Sequence, residues 1–160
     1  MRQGLVRWAA LGLVLGSTVL AGMAQVPPAN SPTSASAIPQ NALVQPADVA
    51  KMLQSGGKTV IFQVGSHLMF SQAHIPGAEY AGPDSQAVGL DLLASKVAAL
   101  PKNALIVIYC GCCPWNRCPN MGPAYQRLLA LGFTNVKAMY VASNFGDDWV
   151  GKGYPVEKGD

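Results

Sequence analysis

The stretch "ALIVIYC", Ala104 to Cys110, decides the architecture. Six apolar or aromatic residues precede a cysteine with no polar alternation. An edge strand or a one-sided antiparallel strand would alternate, so this run predicts a central parallel strand covered on both faces. Upstream, "TVIFQV", Thr59 to Val64, predicts another buried strand, and downstream "NVKAMYV", Asn135 to Val141, predicts a third.

Helical patterns separate the three runs. In "QPADVAKMLQSGGK", Pro46 stands where a first helical turn accepts proline, and Gly56-Gly57 ends the helix. "GLDLLASKVAALP" places Leu90, Leu93, Val97 and Leu100 on one helical face, and Pro101 stops it. "MGPAYQRLLALG" reads as a helix closed by Gly132. Strand, helix, strand, helix, strand predicts an α/β fold: a central, mainly parallel sheet with helices on both faces. In such sheets ligands bind beyond the carboxyl ends of the strands, which is where Cys110 falls.

The loop that follows is "YCGCCPWNRCPN", Tyr109 to Asn120. It holds all four cysteines of the chain, Cys110, Cys112, Cys113 and Cys118. Cys110 alone has its position fixed by a strand, so it is the candidate nucleophile. A thiolate reacts and a thiol does not. Backbone amides ahead of the next helix, together with the Arg117 guanidinium, are expected to favour the thiolate. His67 and His74 lie on an earlier connection, so a cysteine–histidine protease pair has no support. Trp115 and Asn116 either shape the substrate entrance or pack the loop down. His74 is expected to fix a turn, and Trp149 to lie in the core.

The other three cysteines leave several readings open. Cys112, Cys113 and Cys118 can resolve an intermediate on Cys110 or pair in disulfides. Cys110 and Cys113 form a C-x-x-C, which a thiol–disulfide oxidoreductase would use as its redox pair. Zinc sites usually join two separated C-x-x-C units, so four cysteines within nine residues and no histidine fit a metal poorly. No metal and no cofactor are expected.

The 160 residues suit one domain with an appendage. Arg2 and Arg7 precede the uncharged "WAALGLVLGSTVLAG" and the small-residue site "GMA", Gly22 to Ala24. Residues 1–24 therefore read as an export signal, cleaved near Ala24, and place the protein in a periplasmic or extracellular space. Residues 25–40, "QVPPANSPTSASAIPQ", read as a flexible Pro/Ser/Ala-rich tether, and the folded domain as 41–160. The whole chain carries 11 Lys+Arg against 8 Asp+Glu; without Arg2 and Arg7, nine basic residues remain against eight acidic. That near balance gives no reason to expect nucleic acid or, after cleavage, a membrane as partner.

Five pieces, in order, resemble the rhodanese-like domain family: "TVIFQV"; "HIPGA", His74 to Ala78; "LPKNALIVIYC"; "LLALGFTNVKAMYV"; and Trp149 with "GYPVE", Gly153 to Glu157. The resemblance runs from about Asn41 to Glu157. It implies a sulfurtransferase in which Cys110 carries sulfur as a persulfide, taken from thiosulfate or a persulfide donor and passed to a thiol or cyanide. It also implies a cradle built from Gly111 onward, with Cys112, Cys113, Trp115, Asn116 and Arg117 around the substrate. A non-catalytic binding module with loop disulfides is the alternative from another class. Three departures stand out: Gln63-Val64-Gly65 where the family often has Asp-Val-Arg, Ser143-Asn144 where it has two glycines, and an active loop longer than the usual six or so residues.

Overall fold

The computed structural model describes residues 35–159. The expected export signal and most of the expected tether lie outside them. Within them five strands form one sheet: β1 (Leu43–Val44), β2 (Thr59–Gln63), β3 (Glu79–Tyr80), β4 (Leu105–Tyr109) and β5 (Val136–Met139). The order is β1-β5-β4-β2-β3, and every pairing is parallel. "ALIVIYC" does supply the central strand. It pairs with β2 from Thr59↔Leu105 to Gln63↔Tyr109 and with β5 from Ile106↔Val136 to Ile108↔Ala138.

Period-two geometry sorts the residues of β4 between two cores. Ile106, Ile108 and Cys110 pack on one face, with Leu93 and Val97 of α3 (Ala87–Val97) and Met121, Ala124 and Leu128 of α4 (Met121–Ala130). Val107 and Tyr109 pack on the other. Their neighbours are Val49 and Ala50 of α1 (Pro46–Gln54), Phe70 of α2 (His67–Gln72), Phe145 of α5 (Phe145–Asp148) and Trp149. Ile106, Val107 and Ile108 are fully buried. Each contributes about 1.5–3 kcal/mol by leaving water, which anchors the strand that carries the cysteine.

Several elements have no sequence signal. β1 and β3 are two residues long, too short for a period to emerge, and they exist because β5 and β2 offer them an edge. Packing also begins earlier than Asn41. Ala35 and Ile38 are buried in the α3–α4 core, so the last part of the segment read as tether is docked on the domain. Ala35 and Ile38 supply the apolar side chains for this packing, which composition alone did not reveal. Among the described residues no helix is long and apolar enough to cross a membrane.

His74 and Trp149 both serve the fold. The His74 ring stacks on Phe70 at 3.9 Å and its Nδ1 lies 2.9 Å from the Phe70 carbonyl. Its backbone forms a bridge with Glu157, tying "HIPGA" to "GYPVE". Trp149 is fully buried, and its Nε1 donates to the Pro155 carbonyl at 2.8 Å. The Tyr109 hydroxyl accepts the Ile75 N–H at 3.2 Å and so clamps the same turn to the end of β4.

Candidate active site

A wholly parallel sheet delivers all its carboxyl ends to one edge, and three loops meet there. The Val64 N–H donates to the Tyr109 carbonyl at 2.9 Å, Trp115 N–H to Ala142 at 3.4 Å, and Phe145 N–H to Gly111 at 3.3 Å. The loop after β4 is thus tied to the loops after β2 and β5. It contains a single short 3₁₀ turn at Trp115–Arg117, and α4 begins only at Met121. The amide cradle of a helix start lies well down the chain from Cys110.

All four cysteines are free thiols. Cys110 is 3% exposed, and its Sγ lies 3.2 Å from that of Cys112. Cys112 Sγ lies 3.3 Å from that of Cys113. The three sulfurs all fall within 4.8 Å of one another. The closest pair is therefore the C-x-C pair Cys110/Cys112, not the C-x-x-C pair Cys110/Cys113 suggested by spacing. Cys118 is buried in the same core cluster as Met121 and hydrogen-bonds to Cys110 and Cys112.

Charge does not settle where the sequence suggested. Hydrogen bonding to Cys112, then to Cys118, together with burial, pushes the Cys110 thiol well up. The same bonds, from Cys110 and then Cys118, hold Cys112 well below the ordinary thiol range. The expectation of a depressed Cys110 thiol is thereby corrected: the shifts run the other way, up for buried Cys110 and down for exposed Cys112, which favours the thiolate on Cys112. The first physical reason is the hydrogen bonding between the sulfurs, and desolvation of Cys110 adds to it. A charge buried under Gly65 and Asn120 has lost its water, whereas one at the loop surface keeps it. Burial pushes the Cys113 thiol up as well.

Two residues that sequence reasoning passed over complete the site. Asn120, buried, directs Nδ2 at Cys110 Sγ (3.5 Å) and Cys112 Sγ (3.9 Å), while its Oδ1 accepts the Ser85 N–H at 2.9 Å. That second bond fixes the amide so that its donor end faces the sulfurs. Gly65 presses on the same sulfur: a Cβ there would stand 2.8 Å from Cys110 Sγ. The departure at Gln63-Val64-Gly65, where the family often has Asp-Val-Arg, was the available signal. Beside it, buried Gln63 accepts the Gly65 N–H through Oε1 at 3.1 Å.

The expected substrate residues divide between two cavities. Cys112, Cys113, Trp115, Asn116 and Arg117 line an open polar cavity of about 700 Å³ together with Tyr140. Gly111 is not among them; it borders a separate cavity of about 210 Å³ with Tyr109, Gln63 and Phe145. Trp115 packs against Tyr140 at 5.3 Å between ring centres, which pins the loop and forms one wall. Arg117 is exposed and brings positive charge to the larger cavity rather than to Cys110.

The family model for the rhodanese-like domain matches residues 45–140. Solved structures share the fold at low identity. The Alr3790 protein from Anabaena sp. aligns with a TM-score of 0.57 at 20% identity, over 72% of this chain and 82% of that one. The BH2092 protein from Bacillus halodurans aligns at 0.55 and 20%, over 72% and 75%. A thiosulfate sulfurtransferase from Pseudomonas aeruginosa aligns at 0.54 and 20%, over 74% of this chain and 20% of that one. A search of curated proteins returns no match. With the family model covering well over half of the chain and an all-parallel sheet that ends in the cysteine loop, the chain belongs to the rhodanese-like domain family.

Proposed function

We propose that the protein is a sulfurtransferase that carries sulfane sulfur as a persulfide on Cys110. The observation that carries this reading is the seat of Cys110: it closes the central strand of a rhodanese-like sheet, with a second thiol sulfur 3.2 Å away. A buried thiol must lose its proton to attack, and Cys112 Sγ, 3.2 Å away, is the nearest acceptor for it. Cys110 sulfur attacks the terminal sulfur of thiosulfate as its proton passes to Cys112. The S–S bond of thiosulfate breaks with its electron pair on sulfite, leaving Cys110-S-S⁻ and a neutral Cys112 thiol. Asn120 Nδ2 donates toward the new charge, and Arg117 draws the anionic donor into the larger cavity. A thiol or cyanide then removes the outer sulfur.

Intact mass measurement of the reduced protein after thiosulfate treatment tests this. The expected result is a gain of one sulfur in the wild type that is absent in Cys110→Ser. Loading that persists in Cys110→Ser would move the carrier elsewhere. A second reading, thiol–disulfide exchange, is favoured by the same 3.2 Å approach, with Cys110 and Cys112 as the pair. It forecasts loss of two hydrogens on mild oxidation and no sulfur gain.

A further inference from the structure

The geometry points to a soft-metal site in the same loop: a three-coordinate thiolate centre of Cys110, Cys112 and Cys113 that takes monovalent copper. Sequence spacing argued against a metal because zinc fingers space their ligands in two separated pairs. The fold overrides spacing by turning the loop so that three sulfurs converge within 4.8 Å of one another. Around one metal ion with bonds of about 2.3 Å, three sulfurs in a plane stand ~4 Å apart. The present separations of 3.2 and 3.3 Å need only side-chain adjustments of under about 1 Å to reach that spacing.

The donor set selects the ion. Softness favours Cu(I), since the cluster offers sulfur alone, with no imidazole or carboxylate in it. Structural zinc demands four protein ligands, and the group within 4.8 Å holds three; the fourth cysteine, Cys118, hydrogen-bonds to Cys110 and Cys112 but falls outside that group. Three thiolates around Cu(I) keep net negative charge, and the surroundings suit it. Asn120 Nδ2 donates toward two of the sulfurs and is itself fixed by Ser85, the kind of outer support that orients metal ligands. Arg117 lines the cavity onto which Cys112 and Cys113 open, which also gives the ion a path in. Binding releases the remaining thiol protons to solvent.

Cys110 and Cys112 serve both readings, and Cys113 separates them, because the copper site needs it and persulfide loading does not. The test is anaerobic titration of the fully reduced protein with Cu(I), in competition with bathocuproine disulfonate, followed by ultraviolet sulfur-to-copper charge transfer and metal analysis. The expected result is one Cu(I) per chain held against the chelator, with affinity falling at least tenfold in both Cys112→Ser and Cys113→Ser and kept in Cys118→Ser. Cys112 is exposed and Cys113 half-buried, so both variants should fold, and their circular dichroism spectra check it. Complete transfer of copper to the chelator would overturn the site. So would undiminished binding in Cys113→Ser, or a zinc complex that depends on Cys118.

Discussion

Cys110 and Cys112 stand with their sulfurs 3.2 Å apart, one buried and raised, the other exposed and depressed. The two shifts favour a single negative charge for the pair, placed on the outer residue. Reactivity toward an alkylating agent should follow. At pH 6, iodoacetamide should label Cys112 first, with Cys113 and Cys110 far slower; peptide mapping of the reduced protein after brief labelling measures the order. Preferential labelling of Cys110 would mean that the charge lies inside.

The Gly65 backbone leaves room for Cys110 Sγ and nothing more. Gly65→Ala should push the sulfur off its seat and cost about 1–3 kcal/mol, as overpacking usually does. Sulfur loading should drop more than stability does. Adding Cys110→Ala to Gly65→Ala should recover most of the lost stability, because the atom that clashes is gone. Chemical denaturation of the four proteins of this cycle reads the coupling directly; additive losses would place the clash elsewhere, for instance on Gln63 Nε2, 3.2 Å from the built Cβ.

Asn120 separates structure from chemistry. Asn120→Ala removes the acceptor of the Ser85 N–H and should destabilise by about 1–2 kcal/mol. Asn120→Asp keeps that acceptor but replaces the donor facing the sulfurs with a carboxylate oxygen. It should fold nearly as well, yet raise the pH at which Cys112 alkylates and slow sulfur loading. An unchanged alkylation profile in Asn120→Asp would show that the 3.5 and 3.9 Å contacts do not hold the thiolate.

The frame of the fold was legible because its signals are local. The apolar run of β4 and the helix stops at Gly56-Gly57 and Gly132 follow from periodicity and backbone sterics within a few residues. The identity of the key loop was legible for the same reason: a strand ends at Cys110. The loop's interior was not. Which two of four sulfurs approach, and which holds the charge, depends on Gly65, Asn120 and Ser85, which lie up to 45 residues from Cys110 in the chain order and meet it only at the sheet edge. Electrostatics in the loop follows which sulfurs hydrogen-bond and how deeply each is buried, and both are properties of the packed chain. β1 and β3 escaped notice because two residues cannot display a period.

Asp84 is the one described carboxylate with no exposed surface, and neither of its oxygens has a hydrogen-bonding partner among the described residues. It sits next to Ser85, the residue that anchors Asn120. Burial pushes its carboxyl up to about 8. The folded state therefore keeps a proton that the unfolded chain gives up near pH 4. Stability from this group is complete below the unfolded value and is lost as pH rises from about 4 through about 8, at up to ~1.4 kcal/mol per pH unit. Asp84→Asn has nearly the same shape and cannot ionise. It should leave stability nearly unchanged at pH 4, raise it at pH 7 and raise it further at pH 8, so that the melting temperatures of the two proteins diverge with pH. Thermal melts across that range measure the divergence. Parallel curves would mean that Asp84 is ionised and partnered in the fold, and a less stable Asp84→Asn at pH 8 would assign the carboxylate a cation that holds it.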